Sequence, residues 1–331
     1  MSNGQLCLGV SVVKLMTESV PMMAGPRFIQ TIHLSNFLSF GAQTQPLTLG
    51  SLNLIIGPNG SGKSNLIESI DLLRSAPGKL LTSIREGGGV RDWLWKGATK
   101  TPVARVDAVV ANPKGPTSLR YVLSFTEVGQ RFEIVDEQIE NEHPDAGHPR
   151  PYFYYRFENG HGVLNIKNVQ RRLQHEEIEP AVSILAQRRD PDQYPELTYL
   201  GDAFGKIRVY REWSFGRSTV PRLPQKTDLP NEYLEPDGSN LGLVLNRLRR
   251  EPSVKKDLLR ALRALYEGID DFDTLIEGGT VQVFLHEGSI TVPATRLSDG
   301  TLRFLCLLAI LCHPNPPPLV VIEEPELGLH P

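Results

Sequence analysis

The stretch Gly57-Pro58-Asn59-Gly60-Ser61-Gly62-Lys63-Ser64 constrains this chain more than any other. It has the pattern G-x-x-x-x-G-K-[ST], between a strand-like run, LNLII, and a helix-like run, SNLIESIDLLRS, with Leu66, Ile67, Ile70 and Leu73 at helical spacing. Glycines there let backbone N–H groups converge on an anion, and the helix N-terminus adds a favourable dipole. Lys63 is expected to reach the β- and γ-phosphates of a nucleotide, and the Ser64 hydroxyl to ligate Mg²⁺. The competing reading is a flexible Gly/Ser turn, which the flanking strand and helix disfavour.

A second region bears on the same chemistry. Leu319, Val320, Val321 and Ile322 form an unbroken apolar run ending in Glu323 and Glu324, as a fully buried parallel strand does when it delivers carboxylates to a site. Adjacent strand residues point to opposite faces, which predicts different jobs for the two. Glu323 is the candidate Mg²⁺ ligand and Glu324 the candidate general base; Glu324 and Lys63 are the catalytic candidates. The other reading is a pair of solvated strand-end acids. LSDGT, residues 297–301, opens an apolar helix, so Ser298 or Asp299 serves either as a cap or in the site.

Between these regions, strand candidates near 103–111, 119–126, 131–139, 152–157 and 161–168 predict an antiparallel block. Residues 216–238 read as loop, and LGLVLNRLRR and VKKDLLRALRALYEGI as amphipathic helices too short for a coiled coil. The chain has 35 Lys and Arg against 38 Asp and Glu, so no global positive field recruits nucleic acid. A DNA contact would need a local patch, and Arg247, Arg249, Arg250, Lys255, Lys256, Arg260 and Arg263 offer one, or else a solvated helix face. No run approaches a membrane span, and three cysteines without metal-ligand spacing fit a reducing cytoplasm. No N-K-x-D motif is present to read guanine.

GPNGSGKSNLIESI, the preceding IHLSNFLSF, LSDGT and IEEPELGLH together resemble the ABC-type P-loop ATPases, and within them the RecF/SMC/OLD-like group of AAA-like ATPases. The resemblance implies an α/β P-loop NTPase fold: a mixed, ABC/SMC-head-like sheet with an antiparallel β lobe and a helical insert. It adds Asn65 to the nucleotide-binding residues and makes LSDGT the signature motif, with Asp299 in place of its first glycine. It places Glu323 where the group usually has Asp, Glu324 at the catalytic glutamate and His330 in a loop crossing a dimer interface. It also implies ATP and Mg²⁺ as ligands and a head-to-tail homodimer in which Ser298 and the Gly300 N–H meet the γ-phosphate of the partner copy. The biological role it suggests is DNA repair or defence; the alternatives are a nucleotide-switched or transporter-type ATPase with a protein partner, or an inactive fragment.

The expected organisation is an extension over 1–26, either a disordered tail or sequence ahead of a later start, followed by one ATPase domain over 27–331. Within it, 27–140 is the phosphate-loop half with its β lobe, 141–289 a family-specific insert and 290–331 the signature and acidic half. In the resembled fold a further strand follows the acidic one and lies beside the phosphate-loop strand. The sequence stops at Pro331 before any such strand, which predicts a C-terminally incomplete domain with impaired activity.

Overall fold

A computed structural model of the protein describes residues 14–16, 27–158, 161–166, 169–172, 179–211 and 213–328. Two compact units divide it, Met1–Ile207 and Arg208–Pro331, the division falling inside the stretch read as an insert. Both combine helices with strands.

The first unit is built on a long antiparallel sheet. Its strands are β2 (Ile29–Ser35), β3 (Leu47–Thr48), β5 (Ala104–Val110), β6 (Leu119–Val128), β7 (Arg131–Asn141), β8 (Phe153–Glu158), β9 (His161–Ile166) and β10 (Val169–Arg172), in the spatial order β10-β9-β8-β7-β6-β5-β2-β3. Alternation in these strands sends Val106, Ala108, Tyr121 and Leu123 into the interior. Arg105, Asp107, Arg120, Glu140 and Arg156 make a cross-strand ion ladder.

The strand of the phosphate loop stands apart from that sheet. β4 (Leu54–Ile56) pairs antiparallel with β1 (Lys14–Met16), so part of the stretch read as a structureless extension supplies a strand. That pairing satisfies backbone groups β4 would otherwise leave open. Helices α1 (Lys63–Ser75), α2 (Leu80–Glu86), α3 (Val90–Trp93), α4 (Ile184–Gln187) and α5 (Pro195–Gly205) complete the unit. Helix α5 packs on the sheet through Phe204, whose ring meets Phe28 at 6.2 Å and Tyr121 at 5.4 Å between centroids.

The second unit wraps helices around a small sheet. Its elements are β11 (Arg208–Tyr210), β12 (Gln225–Lys226), α6 (Leu241–Leu248), α7 (Pro252–Leu265), β13 (Asp271–Glu277), β14 (Thr280–Glu287), β15 (Ile290–Pro293), α8 (Asp299–Leu311) and β16 (Val320–Ile322). Leu245, Leu258, Leu262, Phe272, Leu285 and Leu305 meet in one buried cluster, so α6, α7 and α8 each turn an apolar stripe toward β13 and β14. The acidic strand β16 lies parallel to β11, with Tyr210 opposite Ile322. It is half-buried rather than fully buried, because β11 is its one strand partner among the described residues. Among the described residues, no helix is long and apolar enough to cross a membrane.

Candidate functional site

In the first unit, β4 ends at Ile56, the chain crosses residues 57–62, and α1 begins at Lys63. The turn needs glycine twice for separate reasons. Gly62 has φ +93°, a left-handed conformation that L side chains resist, and a Cβ there would stand 3.0 Å from Ser39 Oγ. At Gly57 a Cβ would stand 2.7 Å from Ser61 Oγ. A loop of backbone with no side chain in the way is what an anion cradle requires.

Lys63 Nζ lies over the loop, donating to Gly57 O at 2.6 Å and Pro58 O at 2.9 Å. Its ammonium is thus held above the loop's own carbonyls, where phosphate oxygens would offer a stronger, charged acceptor. Ser61 Oγ is buried without a hydrogen-bond partner, an unspent donor inside the loop. The N-cap of α1 is Gly62, which supplies no side-chain cap, and the end of a helix so opened suits an anion. Asn65 donates its amide to Ser39 Oγ at 2.7 Å, tying α1 to the turn after β2. This loop therefore fits a nucleotide's phosphates, and Ser64, exposed at the helix start, fits the metal-ligand role.

In the second unit, Ser298 caps α8: its Oγ accepts from Thr301 N at 3.0 Å. The helix-cap reading is therefore correct for Ser298, and a cap oxygen stays exposed enough to meet a ligand. Gly300 packs so closely on the Gly328 carbonyl that a Cβ would stand 2.7 Å from it. Asp299 pairs with Arg222, a residue of the loop 216–238.

The two acids part company for a reason other than strand alternation. The ladder continues to Glu323, whose N–H donates to Tyr210 O at 2.9 Å, and its carboxylate accepts from Arg211 Nε at 2.9 Å. Glu324 has left the strand with φ +49°, an uncommon conformation for a residue with a side chain. Arg303 of α8 donates through Nη2 to the Glu324 carbonyl, which also accepts from Leu327 N at 3.2 Å. The Arg303 guanidinium stacks over Trp213 at 5.4 Å, and burial lowers its pKa against the raising effect of Glu324 and Glu326. Glu324 itself is exposed.

Sequence reasoning missed Ser39, Arg211, Arg222 and Arg303. Only Arg303 left a signal, as a lone charge in the apolar run LRFLCLLAIL. His330 lies outside the described residues. The basic patch of α6 and α7 is largely paired within the chain: Arg249 with Asp273, Lys255 with Asp271, Arg260 with Asp257, and Arg263 with the Ile269 and Asp270 carbonyls. Arg247, whose Nη1 donates to the neutral Asn231 Oδ1 at 3.4 Å, Arg250 and Lys256 are exposed.

The model of the family described as "AAA domain, putative AbiEii toxin, Type IV TA system" matches residues 52–331. The Chromosome partition protein Smc of Clostridium kluyveri is 26% identical over 146 residues, which is 44% of this chain and 10% of that protein. The protein of the same name from Coxiella burnetii is 29% identical over 126 residues, 37% of this chain and 10% of the relative. That of Thauera aminoaromatica is 34% identical over 90 residues, 26% and 7% respectively. The chain thus spans a tenth or less of the length of these relatives.

Proposed function

The chain belongs to this AAA domain family and is a P-loop ATPase of the SMC/RecF-like group, and from that premise we propose that it hydrolyses ATP with Mg²⁺ as two copies associated head to tail. The observation that carries the reading is the loop from Gly57 to Ser64, with its left-handed Gly62, its unspent Ser61 hydroxyl and its folded-over Lys63.

Each unit contributes chemistry of its own. In the first, the loop N–H groups and Lys63 bind and orient the β- and γ-phosphates, exchanging carbonyl acceptors for charged phosphate oxygens. Asn65 and Ser39 hold the helix that carries them. In the second, Glu324 orients the attacking water and accepts its proton, and Arg303 fixes the backbone from which that carboxylate projects. Ser64 in the first unit and Glu323 in the second are the candidate Mg²⁺ ligands; when bound, Mg²⁺ neutralises charge on the phosphates. Ser298 Oγ and the Gly300 N–H serve the γ-phosphate of the second copy, where donors aimed at developing charge lower the barrier.

The coupled process we infer is DNA repair or defence, with Arg247, Arg250 and Lys256 as the cations left to meet a nucleic-acid backbone. Release of phosphate from ATP by the purified chain, lost in Lys63→Ala, tests the ATPase reading. ATP bound by the parent chain but not hydrolysed would replace it with a switch-only role, and no ATP bound by the parent with a role that needs no nucleotide.

A further inference from the structure

Asp299 puts a carboxylate in the loop that is read as meeting a γ-phosphate, where the resembled motif has glycine. An acid at that position repels the phosphate unless its charge is cancelled. The structure contains the means. Arg222 closes the short 3₁₀ turn Val220–Arg222 and is only 7% exposed, so its donors must find partners inside the protein. Nε donates to Phe215 O at 2.9 Å. Nη1 donates to Ala294 O at 3.3 Å and to Leu297 O, the carbonyl immediately before Ser298. Nη2 donates to Asp299 Oδ1. The planar fork therefore grips both sides of Ser298, one carbonyl before it and one carboxylate after it.

We propose that Arg222 is a positioning residue for the signature loop: it sets the backbone on which Ser298 and Gly300 are presented and cancels the charge of Asp299, so that the loop receives a phosphate without net repulsion. This rests on the reading that the loop meets nucleotide held by a second copy. The Asp299 side chain is 65% exposed, so replacing it leaves the fold intact. Arg222 then keeps its carbonyl bonds while its positive charge is left facing the loop.

The test is ATP-dependent self-association of the full chain at low ionic strength, followed by sedimentation velocity, with Ser298→Arg as the control for the underlying reading. Asp299→Asn is expected to lower the ATP concentration at half-maximal association by about threefold, a gain that added salt removes. Arg222→Gln is expected to raise it about tenfold or more, and the Arg222→Gln/Asp299→Asn double variant to recover about threefold of that loss, because there is no longer a charge to cancel while the carbonyl bonds that set the backbone stay missing. A purely structural arginine would give no gain in Asp299→Asn and no rescue in the double variant, and either result overturns the proposal. Should Arg222→Gln fail to fold, Asp299→Asn alone decides. If Ser298→Arg leaves association intact, the loop does not meet nucleotide and the reading beneath the proposal falls. If Ser298→Arg abolishes association while Asp299→Asn changes nothing, only the role of Arg222 falls.

Discussion

Arg211 Nε donates to Glu323 Oε2 over 2.9 Å, one residue beyond the paired ends of β11 and β16. The parallel register that sets Tyr210 opposite Ile322 sets these two opposite each other as well, so strand pairing brings the charges together. Both side chains are 26% exposed, so solvent screens the pair in part and it contributes on the order of 1 kcal/mol to stability. Arg211 is a cation already on the carboxylate proposed to ligate Mg²⁺. Arg211→Ala should lower the melting temperature modestly and lower the Mg²⁺ concentration for half-maximal ATP turnover severalfold. A higher Mg²⁺ requirement would show that Arg211 orients Glu323 rather than competing for it.

Lys63 bonds only to carbonyls of its own loop among the contacts described for it. Removing its ammonium therefore takes little from the fold and much from an anion. With about 1.5–3 kcal/mol for a hydrogen bond to a charged group, Lys63→Ala should weaken ATP binding by roughly tenfold to a hundredfold. Calorimetric titration checks this alongside an unchanged thermal melt.

Gly62 combines φ +93° with a close approach to Ser39 Oγ. Gly62→Ala adds both strain and contact, costing about 1–2 kcal/mol. The expected result is a lower denaturation midpoint together with impaired nucleotide binding. Gly60, which also has positive φ but open space around it, should tolerate alanine with less loss of stability.

Glu137 is wholly buried, and that burial raises its carboxyl pKa above the ordinary 4.5 despite bonds donated by Ile184 N, Ser183 Oγ and Tyr121 OH. The folded protein thus keeps this proton to higher pH than the unfolded chain does. Its stabilising contribution is fully present below about pH 4.5 and is lost as pH rises through the raised value. The stability difference between the parent and Glu137→Gln, from urea midpoints, should therefore shift against the parent as pH rises from about 4 to 8. A shift in the parent's favour contradicts the assignment.

Nucleic-acid binding, if carried by Arg247, Arg250 and Lys256, involves few phosphates. The logarithm of the affinity should fall against the logarithm of salt with a slope of about −3, and Arg247→Gln/Arg250→Gln/Lys256→Gln should flatten it. A slope of about −6 would mean that the paired cations Arg249, Lys255, Arg260 and Arg263 leave their partners to meet DNA.

What the sequence revealed depended on whether a residue's role was written in its neighbours. Helix α1 was legible because Leu66, Ile67, Ile70 and Leu73 repeat at the helical period and all become buried. The sheet from β5 to β9 was legible through alternation and turn residues. Strand β13 was missed because DFDTLIE buries Phe272 and Thr274 while leaving Leu275 and Ile276 exposed, which blurs the two-residue period. Helix α2 was hidden beside a glycine run, with only Leu80 and Ile84 buried to mark it. The phosphate loop and the two glutamates announced themselves by local pattern. Arg222 lies 77 positions from Asp299 in a Pro-rich loop, and Arg211 lies 112 from Glu323, so only the fold discloses those pairs.

The central claim is that ATP draws two copies together and that Glu324 then discharges the complex. Glu324→Gln keeps the backbone carbonyl that Arg303 and Leu327 hold and removes only the base. Multi-angle light scattering of this variant with ATP and Mg²⁺ should give twice the 36.8 kDa chain mass, returning to the chain mass when ATP is withdrawn. A particle of 36.8 kDa with ATP demonstrably bound would contradict the account.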